Sequence, residues 1–365
     1  MASISLCMIV RDEEDVLGRC LESAGELVDE IIIVDTGSKD KTKEKALQYT
    51  DKIYDYSWQD DFSAARNFSL AKGTKDFLMW LDADDVISAD DAGKFKRLKE
   101  KMESDTDMVM MPYITAFDES GKAVFSYYRE RIFRNRRGFA FRGRVHEAVT
   151  PAGKIVYWDA AVEHRKVHPG NSTRNLRIYE NMERSGEYFD SRSLYYYGRE
   201  LIGHKKYEKA IRILEEFLGR EDAWVENRID ATRRLADAWY AKDNDKNALK
   251  ALLKALEYDV PRGETCCCLG RHFQERGQYE QAVYWYTQAL AAKKNMMSGA
   301  FIEEDCYGFL PAISLCVCHD RMGDLEQAEY YNEMAGKFRP DSPYYLQNRE
   351  YFRGVKDKQN QNTHI

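Results

Sequence analysis

Short apolar runs alternate with amphipathic stretches over the first 165 residues or so. The runs at residues 4–10, 31–34, 52–56 and 77–81 predict buried strands, and helical patterns follow at 13–24, from Lys41, and at 62–71. Short buried strands that alternate with helices are typical of a parallel α/β sheet. Ligands bind such sheets beyond the carboxyl ends of the strands. Asp35 and the acids after Leu81 both lie at such ends, so the pattern predicts one shared crevice.

From about Ser191 the strand signals disappear and helical periodicity takes over. The motif around Tyr207 recurs with buried-type alanines at Ala210, Ala248, Ala282 and Ala328, which are 38, 34 and 46 residues apart. A helix-turn-helix unit with a period near 34 is typical of tetratricopeptide repeats, and a plain helical bundle is the alternative. The chain is therefore predicted to hold an α/β domain (1–180), an all-α repeat domain (190–352) and a polar, disordered tail (353–365).

Charge and composition narrow the classes of function. A net charge of −7 disfavours nucleic-acid binding, which needs a basic surface. No apolar run approaches the ~20 residues of a transmembrane helix, and the start lacks the basic region of a signal peptide, so a cytoplasmic protein is predicted. The spacing of the eight cysteines is not that of a zinc or redox site, and we expect reduced, apolar residues within helices.

Asp82-Ala83-Asp84 is the most informative segment. Two carboxylates one residue apart, on a turn that leaves a strand, can converge on a divalent cation. That cation can neutralise a nucleotide diphosphate as it leaves. Acidic turns after strands are common, but the apolar run before the triplet and Asp85 after it strengthen this interpretation. Asp35 is either a turn cap before Gly37 or a contact to the ribose or uracil of a nucleotide.

Four segments together resemble family-2 glycosyltransferases with the GT-A (Rossmann-like) fold. They are SLCMIVRDEE at 5–14, IVDTGS at 33–38, DFSAARN at 61–67 and LDADD at 81–85. FRGRVHE at 141–147 is similar to a motif of a narrower branch. That branch includes lipopolysaccharide-core glucosyltransferases and the sublancin-type peptide S-glycosyltransferases, which carry C-terminal tetratricopeptide-like helices.

The resemblance implies a set of site residues. Asp84 matches the principal ligand for Mn²⁺ or Mg²⁺, and Asp82 and His164 complete the metal site. Asp12 departs from the asparagine common at its position and is left without a role. The positions that match contacts to a UDP-sugar donor are Val10, Glu13, Asp35, Arg66, Asp82 and Ala83.

An inverting transfer also needs a base that takes a proton from the acceptor. Glu147 and His146 are both candidates, Glu147 as a partly buried carboxylate and His146 as an imidazole that titrates near neutral pH. The residues alone leave this choice open. The resemblance favours Glu147.

A run of arginines adds two further candidates for donor contacts. The run consists of Arg129, Arg131, Arg134, Arg136, Arg137, Arg142 and Arg144. Such a run is either a solvated face or a source of charge for phosphate or an anionic acceptor. Arg131 is the candidate within it, and Arg174, after a loop at Gly170, is predicted to belong to a lid that closes on the donor.

The combined prediction is a metal-dependent, inverting glycosyltransferase. It moves a sugar from a UDP-sugar to a peptide or protein acceptor held by the repeats. A lipopolysaccharide-core or other glycan acceptor is one alternative, and a catalytically silent repeat adaptor is another. The repeats could instead mediate a homodimer. The sequence identifies neither the sugar nor whether sulfur or oxygen is glycosylated.

Overall fold

The computed structural model describes residues 2–117, 121, 123–167, 173–294 and 302–362. The chain divides into two units, Met1–Tyr196 and Tyr197–Ile365.

The first unit is built on a nine-stranded sheet. Its strand order is β3-β2-β1-β4-β7-β6-β11-β5, with β10 also paired to β6, and β8 and β9 form a separate pair. The strands are β1 Ile4–Val10, β2 Glu30–Asp35, β3 Ile53–Asp55, β4 Phe77–Met79, β5 Asp85–Val86, β6 Met108–Phe117, β7 Ala123–Arg134, β8 Phe141–Arg142, β9 Ala148–Val149, β10 Ile155–Tyr157 and β11 Val162–His164.

The sheet is mixed, so the prediction of a parallel sheet is only partly correct, although β10 and β11 also pair in parallel with β6. Strands β1 to β4 pair in parallel as predicted. The long β6–β7 hairpin then pairs antiparallel with β4, and β11 pairs antiparallel with β5. Buried parallel and antiparallel strands give the same apolar signal when both faces are covered, because that signal records burial and not the direction of a neighbour.

Within the described residues, five α-helices lie wholly in the first unit: α1 Leu17–Ala24, α2 Thr42–Ala46, α3 Phe62–Leu70, α4 Ala89–Glu100 and α5 Arg174–Ser185. They explain why β1 is apolar except at Ser5. Its residues Leu6 and Met8 pack in one cluster with Leu17 of α1, whereas Cys7 points into a second cluster with Leu70 of α3. A strand covered on both faces leaves no polar side.

One buried acid links three segments near the amino-terminal ends of these strands. Glu30 accepts hydrogen bonds from the Ser5 hydroxyl and from both the amide and the hydroxyl of Thr74, and it forms an ion pair with Lys52. Burial by itself would raise the pKa of Glu30, but the bonds from Lys52, Ser5 and Thr74 outweigh it and lower the pKa to about 2.

We expect Glu30→Ala to lower the free energy of unfolding by about 2–3 kcal/mol at pH 7, because Ser5 and Thr74 lose their buried acceptor. The lowered pKa means that this contribution is complete above the ordinary value near 4.5 and is lost as the pH falls toward about 2. Calorimetric melting of wild type and variant from pH 7 to pH 3 measures it. Glu26→Ala removes an exposed ion pair to Lys96, which water screens, and should leave the melting temperature essentially unchanged. Equal losses in the two variants would contradict the assignment.

The second unit is helical. Its helices, the first of which spans the boundary, are α6 Ser191–Gly203, α7 Tyr207–Leu218, α8 Val225–Tyr240, α9 Asp245–Lys254, α10 Gly263–Gln274, α11 Tyr279–Ala291, α12 Phe309–Arg321, α13 Leu325–Phe338 and α14 Pro343–Asn362. From α7 onward each helix packs against the next. The four alanines that revealed the repeat are all completely buried, one each in α7, α9, α11 and α13. The predicted helical repeat is confirmed.

Two details differ from the predictions. Helix α14 continues to Asn362, through most of the segment from 353 that was predicted to be disordered. Lysine and glutamine are good helix formers, so a polar composition does not by itself end a helix.

All eight cysteines are free, but Cys7 lies in a strand and not in a helix. None of the helices described has the length and apolar character that a membrane crossing requires.

Some close helix contacts in this unit require glycine, which has no side chain. A Cβ atom added to Gly270 in α10 would lie 2.7 Å from the ring of Tyr286 in α11. That ring is buried, and its hydroxyl donates a hydrogen bond to Gln274. The ring therefore has little room to move.

Gly270→Ala should consequently destabilise the protein by about 1–3 kcal/mol through overpacking, despite the better helix propensity of alanine. Gly354→Ala is the matched control, because an added Cβ there meets nothing within 4 Å. Alanine at that exposed helical position should instead stabilise by up to about 1 kcal/mol. The melting temperatures of the two variants should move in opposite directions, and a shared direction would contradict the packing argument.

Candidate active site

Parallel pairing brings the ends of three strands to one edge of the sheet. In the register of β1 with β2, Val10 lies beside Asp35, and β4 runs parallel to β1 on its other side. The Asp82 triplet follows β4 after two residues, Trp80 and Leu81. The crevice predicted from two distant sequence points therefore has the expected topology.

The acidic triplet forms a tight turn that is closed by Asp85. The Asp82 amide donates to the Asp85 carboxylate at 3.0 Å, and the Asp85 amide donates back to the Asp82 carbonyl at 3.0 Å. Antiparallel pairing of β5 with β11 then places His164 opposite Asp85. His164 Nδ1 lies 3.3 Å from an oxygen of Asp84 and 3.3 Å from one of Asp85.

Asp84, Asp85 and His164 could hold a metal ion, since each offers a ligand atom and these atoms lie within 4.8 Å of one another. Two carboxylates and an imidazole are compatible with Mn²⁺ and, less closely, with Mg²⁺. Hydrogen bonds to the two aspartates raise the pKa of His164 to about 10, so an ion must displace a proton there. This set differs from the predicted one in that it contains Asp85 in place of Asp82.

The sequence prediction gave Asp85 no role of its own and used it only to support the assignment of the Asp82 triplet. Its carboxylate is completely buried and pairs with the completely buried Arg131 guanidinium at 3.0 Å. The Tyr113 hydroxyl donates to its other oxygen at 3.0 Å. The Arg131 guanidinium lies 4.1 Å from the centre of the Trp80 ring and 4.2 Å from that of Tyr113. Arg131 was predicted to contact the donor, but its side chain exposes no surface and instead supports the acidic turn.

Replacing Arg131 tests whether the acidic turn depends on its ion pair with Asp85. Arg131→Met would leave Asp85 charged and buried, and we expect a loss of about 3–5 kcal/mol in the free energy of unfolding. Arg137→Met is the control, because Arg137 is mostly exposed and pairs with Asp107 only at 3.4 Å. Its loss should stay below about 1 kcal/mol. Denaturant unfolding monitored by tryptophan fluorescence compares the two, and a stable Arg131→Met protein would refute the structural role.

Helix α3 connects the acidic turn to the segment that holds Glu147. Asp61 caps the helix by accepting from the Ala64 amide at 2.9 Å. Arg66 then donates from Nη2 to Asp82 at 2.6 Å and from Nε to Glu147 at 2.5 Å. Its side chain is only 8% exposed. The DFSAARN motif thus places one guanidinium between two acids that are far apart in sequence.

The next residue, Asn67, fixes the hairpin that carries Glu147. Its side-chain Nδ2 donates to the backbone carbonyl of Phe141 at 2.9 Å, and its Oδ1 accepts from the backbone N–H of Phe141 at 2.8 Å. Phe141 opens β8, which pairs with β9, and Glu147 directly precedes β9. Sequence reasoning gave Asn67 no role, although its place beside Arg66 in a recognised motif was a usable signal.

The backbone and the ring of His146 are both held by neighbouring residues. Its backbone lies in the left-handed region with φ 54°, and its ring stacks on Tyr196 with 4.2 Å between centroids. Its carbonyl accepts from Arg192 at 2.9 Å. Glu147, by contrast, is tied directly to the acidic turn through Arg66. The geometry therefore links Glu147, and not His146, to Asp82.

Asp35 and Glu13 occupy the other side of the sheet edge. Asp35 is buried and accepts from the amides of Gly37 and Ser38, which is the turn-capping role considered for it. Burial, followed by repulsion from Asp84 and Asp82, raises the pKa of Glu13 to about 7. A cation at the acidic turn would relieve that repulsion.

Arg174 begins α5, where its guanidinium lies 4.6 Å from the centre of the Phe62 ring. Burial lowers the pKa of Arg174, and the nearby Arg11 adds to the shift, although Glu147 opposes it. Most of the predicted lid, including Gly170, lies outside the described residues. Val10 and Ala83 are buried at the strand ends.

Comparison with known proteins agrees with these motifs. Residues 5–155 match the family model described as glycosyl transferase family 2. Over 149 residues the chain is 38% identical to a TPR repeat-containing protein of Synechococcus elongatus, which covers 41% of this chain and 36% of that protein. Over 275 residues it is 28% identical to the SPbeta prophage-derived glycosyltransferase SunS of Bacillus subtilis, which covers 71% of this chain and 64% of SunS. The chain thus spans less than two thirds of either relative.

Solved structures resemble the chain more distantly. YrrB, described as a TPR protein with an unusual peptide-binding site, has a TM-score of 0.37 and 18% identity, over 49% of this chain and 84% of its own. Glucosyl-3-phosphoglycerate synthase from Mycobacterium tuberculosis, in complex with Mn²⁺ and UDP-glucose, has a TM-score of 0.34 and 13% identity, over 52% and 81%. TM-scores at this level support no conclusion about ligands or activity.

Proposed function

Because its N-terminal region is a glycosyl transferase family 2 domain, we propose that this protein is a metal-dependent, inverting glycosyltransferase that uses a UDP-sugar and a peptide or protein acceptor. The observation that carries the proposal is the contact of Arg66 with both Asp82 and Glu147. It brings an acidic donor turn and a candidate base to one place. A repeat adaptor without catalysis would have no need for this arrangement.

The metal would be held by Asp84 and His164, with Asp85 as a third ligand or as the residue that orients the imidazole. When bound, Mn²⁺ or Mg²⁺ would supply positive charge that offsets the diphosphate of the leaving UDP. Asp82, which the motif also suggested as a ligand, is engaged by Arg66 and is assigned to the nucleotide or sugar side.

The chain's own residues perform the proton transfer. The Glu147 carboxylate takes the proton from the hydroxyl or thiol of the acceptor. The acceptor oxygen or sulfur then forms a bond to the anomeric carbon, and the bond from that carbon to the UDP oxygen breaks with its electron pair going to UDP. A single displacement of this kind inverts the anomeric configuration.

Donor binding is assigned to the strand ends. Asp35, which already fixes the turn after β2, and the backbone at Val10 and Ala83 would border the nucleoside. Glu13 and Arg174 flank this edge with opposite charges, and Arg174 is suited to a phosphate oxygen. Tight backbone turns at the ends of buried strands give such contacts fixed positions.

The acceptor is assigned to the helical unit. Stacked helix pairs present extended surfaces that bind peptides in other repeat proteins. The sequence resemblance to peptide glycosyltransferases supports the same choice over a glycan acceptor. A homodimer formed through the repeats is a different use of this unit, and sedimentation would reveal it. The cytoplasmic location stays a prediction from the sequence.

The test is UDP release from UDP-glucose, UDP-N-acetylglucosamine and UDP-galactose with Mn²⁺. We expect one donor to be hydrolysed or transferred by the wild type, and Asp84→Ala to lower the rate at least about 100-fold, because charge on the leaving group is then unbalanced. Asp90→Ala, an exposed acid in the first turn of α4, is the matched control and should keep full activity. Equal rates for Asp84→Ala and wild type would overturn the metal site.

A second measurement separates the alternatives. Titration calorimetry of UDP with and without Mn²⁺ should show metal-dependent binding, whereas an adaptor should show none. Mass spectrometry of peptide and glycan acceptors incubated with the preferred donor then identifies the acceptor class. Modification of glycans alone would replace the peptide proposal with its alternative.

A further inference from the structure

Arg66 occupies an unusual position between the two halves of the proposed active site. Among the described residues its Nε is the sole hydrogen-bond partner of the Glu147 carboxylate, and its Nη2 is the sole partner of the Asp82 carboxylate. Asp82 leaves the sheet after β4, whereas Glu147 lies in the hairpin before β9. No other side-chain hydrogen bond of these two carboxylates connects the turn to the hairpin.

The guanidinium is held more firmly than the acids that it joins. The side chain of Arg66 is 8% exposed, whereas those of Glu147 and Asp82 are 11% and 35% exposed. The guanidinium lies 4.6 Å from the ring centre of Trp80 and 5.4 Å from that of Phe141. Aromatic rings on which a guanidinium stacks restrict its plane. The stacked rings therefore fix the plane in which Arg66 meets the two carboxylates.

The Arg66 guanidinium is not fully used by the two acids. Its third nitrogen, Nη1, is buried and has no partner among the described residues. The position of this guanidinium is thus matched to the two acids and leaves one donor for an oxygen atom that enters the site.

We propose that Arg66 is a positioning residue that sets the location of the base, Glu147, relative to the donor turn at Asp82. The inference rests on the proposed function and goes beyond it, because it assigns Arg66 to the geometry of the base and not to nucleotide affinity. A planar fork with two separate N–H directions fixes two acids at once. Lysine, with one flexible ammonium group, keeps the charge but loses this geometry.

Arg66→Lys should therefore lower kcat about 100-fold, since a displacement of about 1 Å at a reacting group has that effect. The affinity for UDP with Mn²⁺, measured by calorimetry, should change less than about 3-fold. Arg220→Lys is the matched control, because Arg220 forms an Arg–carboxylate pair with Glu216 in the second unit, and it should leave kcat unchanged. A loss confined to UDP affinity in Arg66→Lys would overturn the inference.

A double-mutant cycle with Glu147→Gln distinguishes positioning from general support of the fold. If Arg66 acts through Glu147, adding Arg66→Lys to Glu147→Gln should reduce the remaining rate by less than about 3-fold. A further loss of tenfold or more would overturn the inference. If Arg66→Lys alone fails to fold, as judged by thermal melting, the double variant is compared with Glu147→Gln instead. The double variant leaves no charged base without a partner, so this comparison tests the inference in the same way.

The proposed function and the positioning role of Arg66 would be refuted by different results. A wild-type protein that transfers no sugar from any UDP-sugar overturns the proposed function, and the inference with it. An active wild type in which the losses from Arg66→Lys and Glu147→Gln simply multiply overturns the inference alone.

Discussion

The buried carboxylate of Asp85 is the constraint on which the acidic site depends. Its two oxygens together meet the Arg131 guanidinium, the Asp82 amide, the Tyr113 hydroxyl and the His164 ring. An unpaired charge without access to water would cost several kcal/mol. The fold therefore has to keep the turn after β4, the β6–β7 hairpin and β11 in register around this group. The partly exposed acid next to it, Asp84, is fixed as a consequence.

Buried acids with matched partners recur elsewhere in the first unit. Glu30 links β1, β2 and the turn at Thr74 near one end of the parallel strands, as Asp85 links the turn and hairpin near the other. Arg66 reverses the pattern, since a buried cation there holds two partly exposed acids. In each case the cost of burying a charge enforces one arrangement of neighbouring segments. The site is thus supported by the same electrostatic requirement that stabilises the sheet.

The helix contacts of the second unit depend strongly on side-chain size. Completely buried alanines and glycines such as Gly270 allow neighbouring helices to approach closely, and rings such as Tyr286 fill the space that they leave. Because each helix contacts mainly its neighbours in sequence, the pattern of small residues is visible along the chain. The same locality explains why polar residues after 353 could continue a helix without changing the repeat.

The sequence alone determined the features that depend on local or periodic signals: the buried parallel strands, the acidic turn after β4, the motifs shared with family-2 glycosyltransferases and the alanine-marked repeats. These follow from burial patterns and short motifs, which neighbouring residues express directly. Tertiary structure alone decided that β7 and β5 run against the other strands, that Arg131 is buried against Asp85, and that Arg66 joins Asp82 to Glu147. Those contacts bridge 46, 16 and 81 residues or depend on strand direction. A single sequence carries no signal for such pairings, because the free energy that selects them arises only when both partners are buried together.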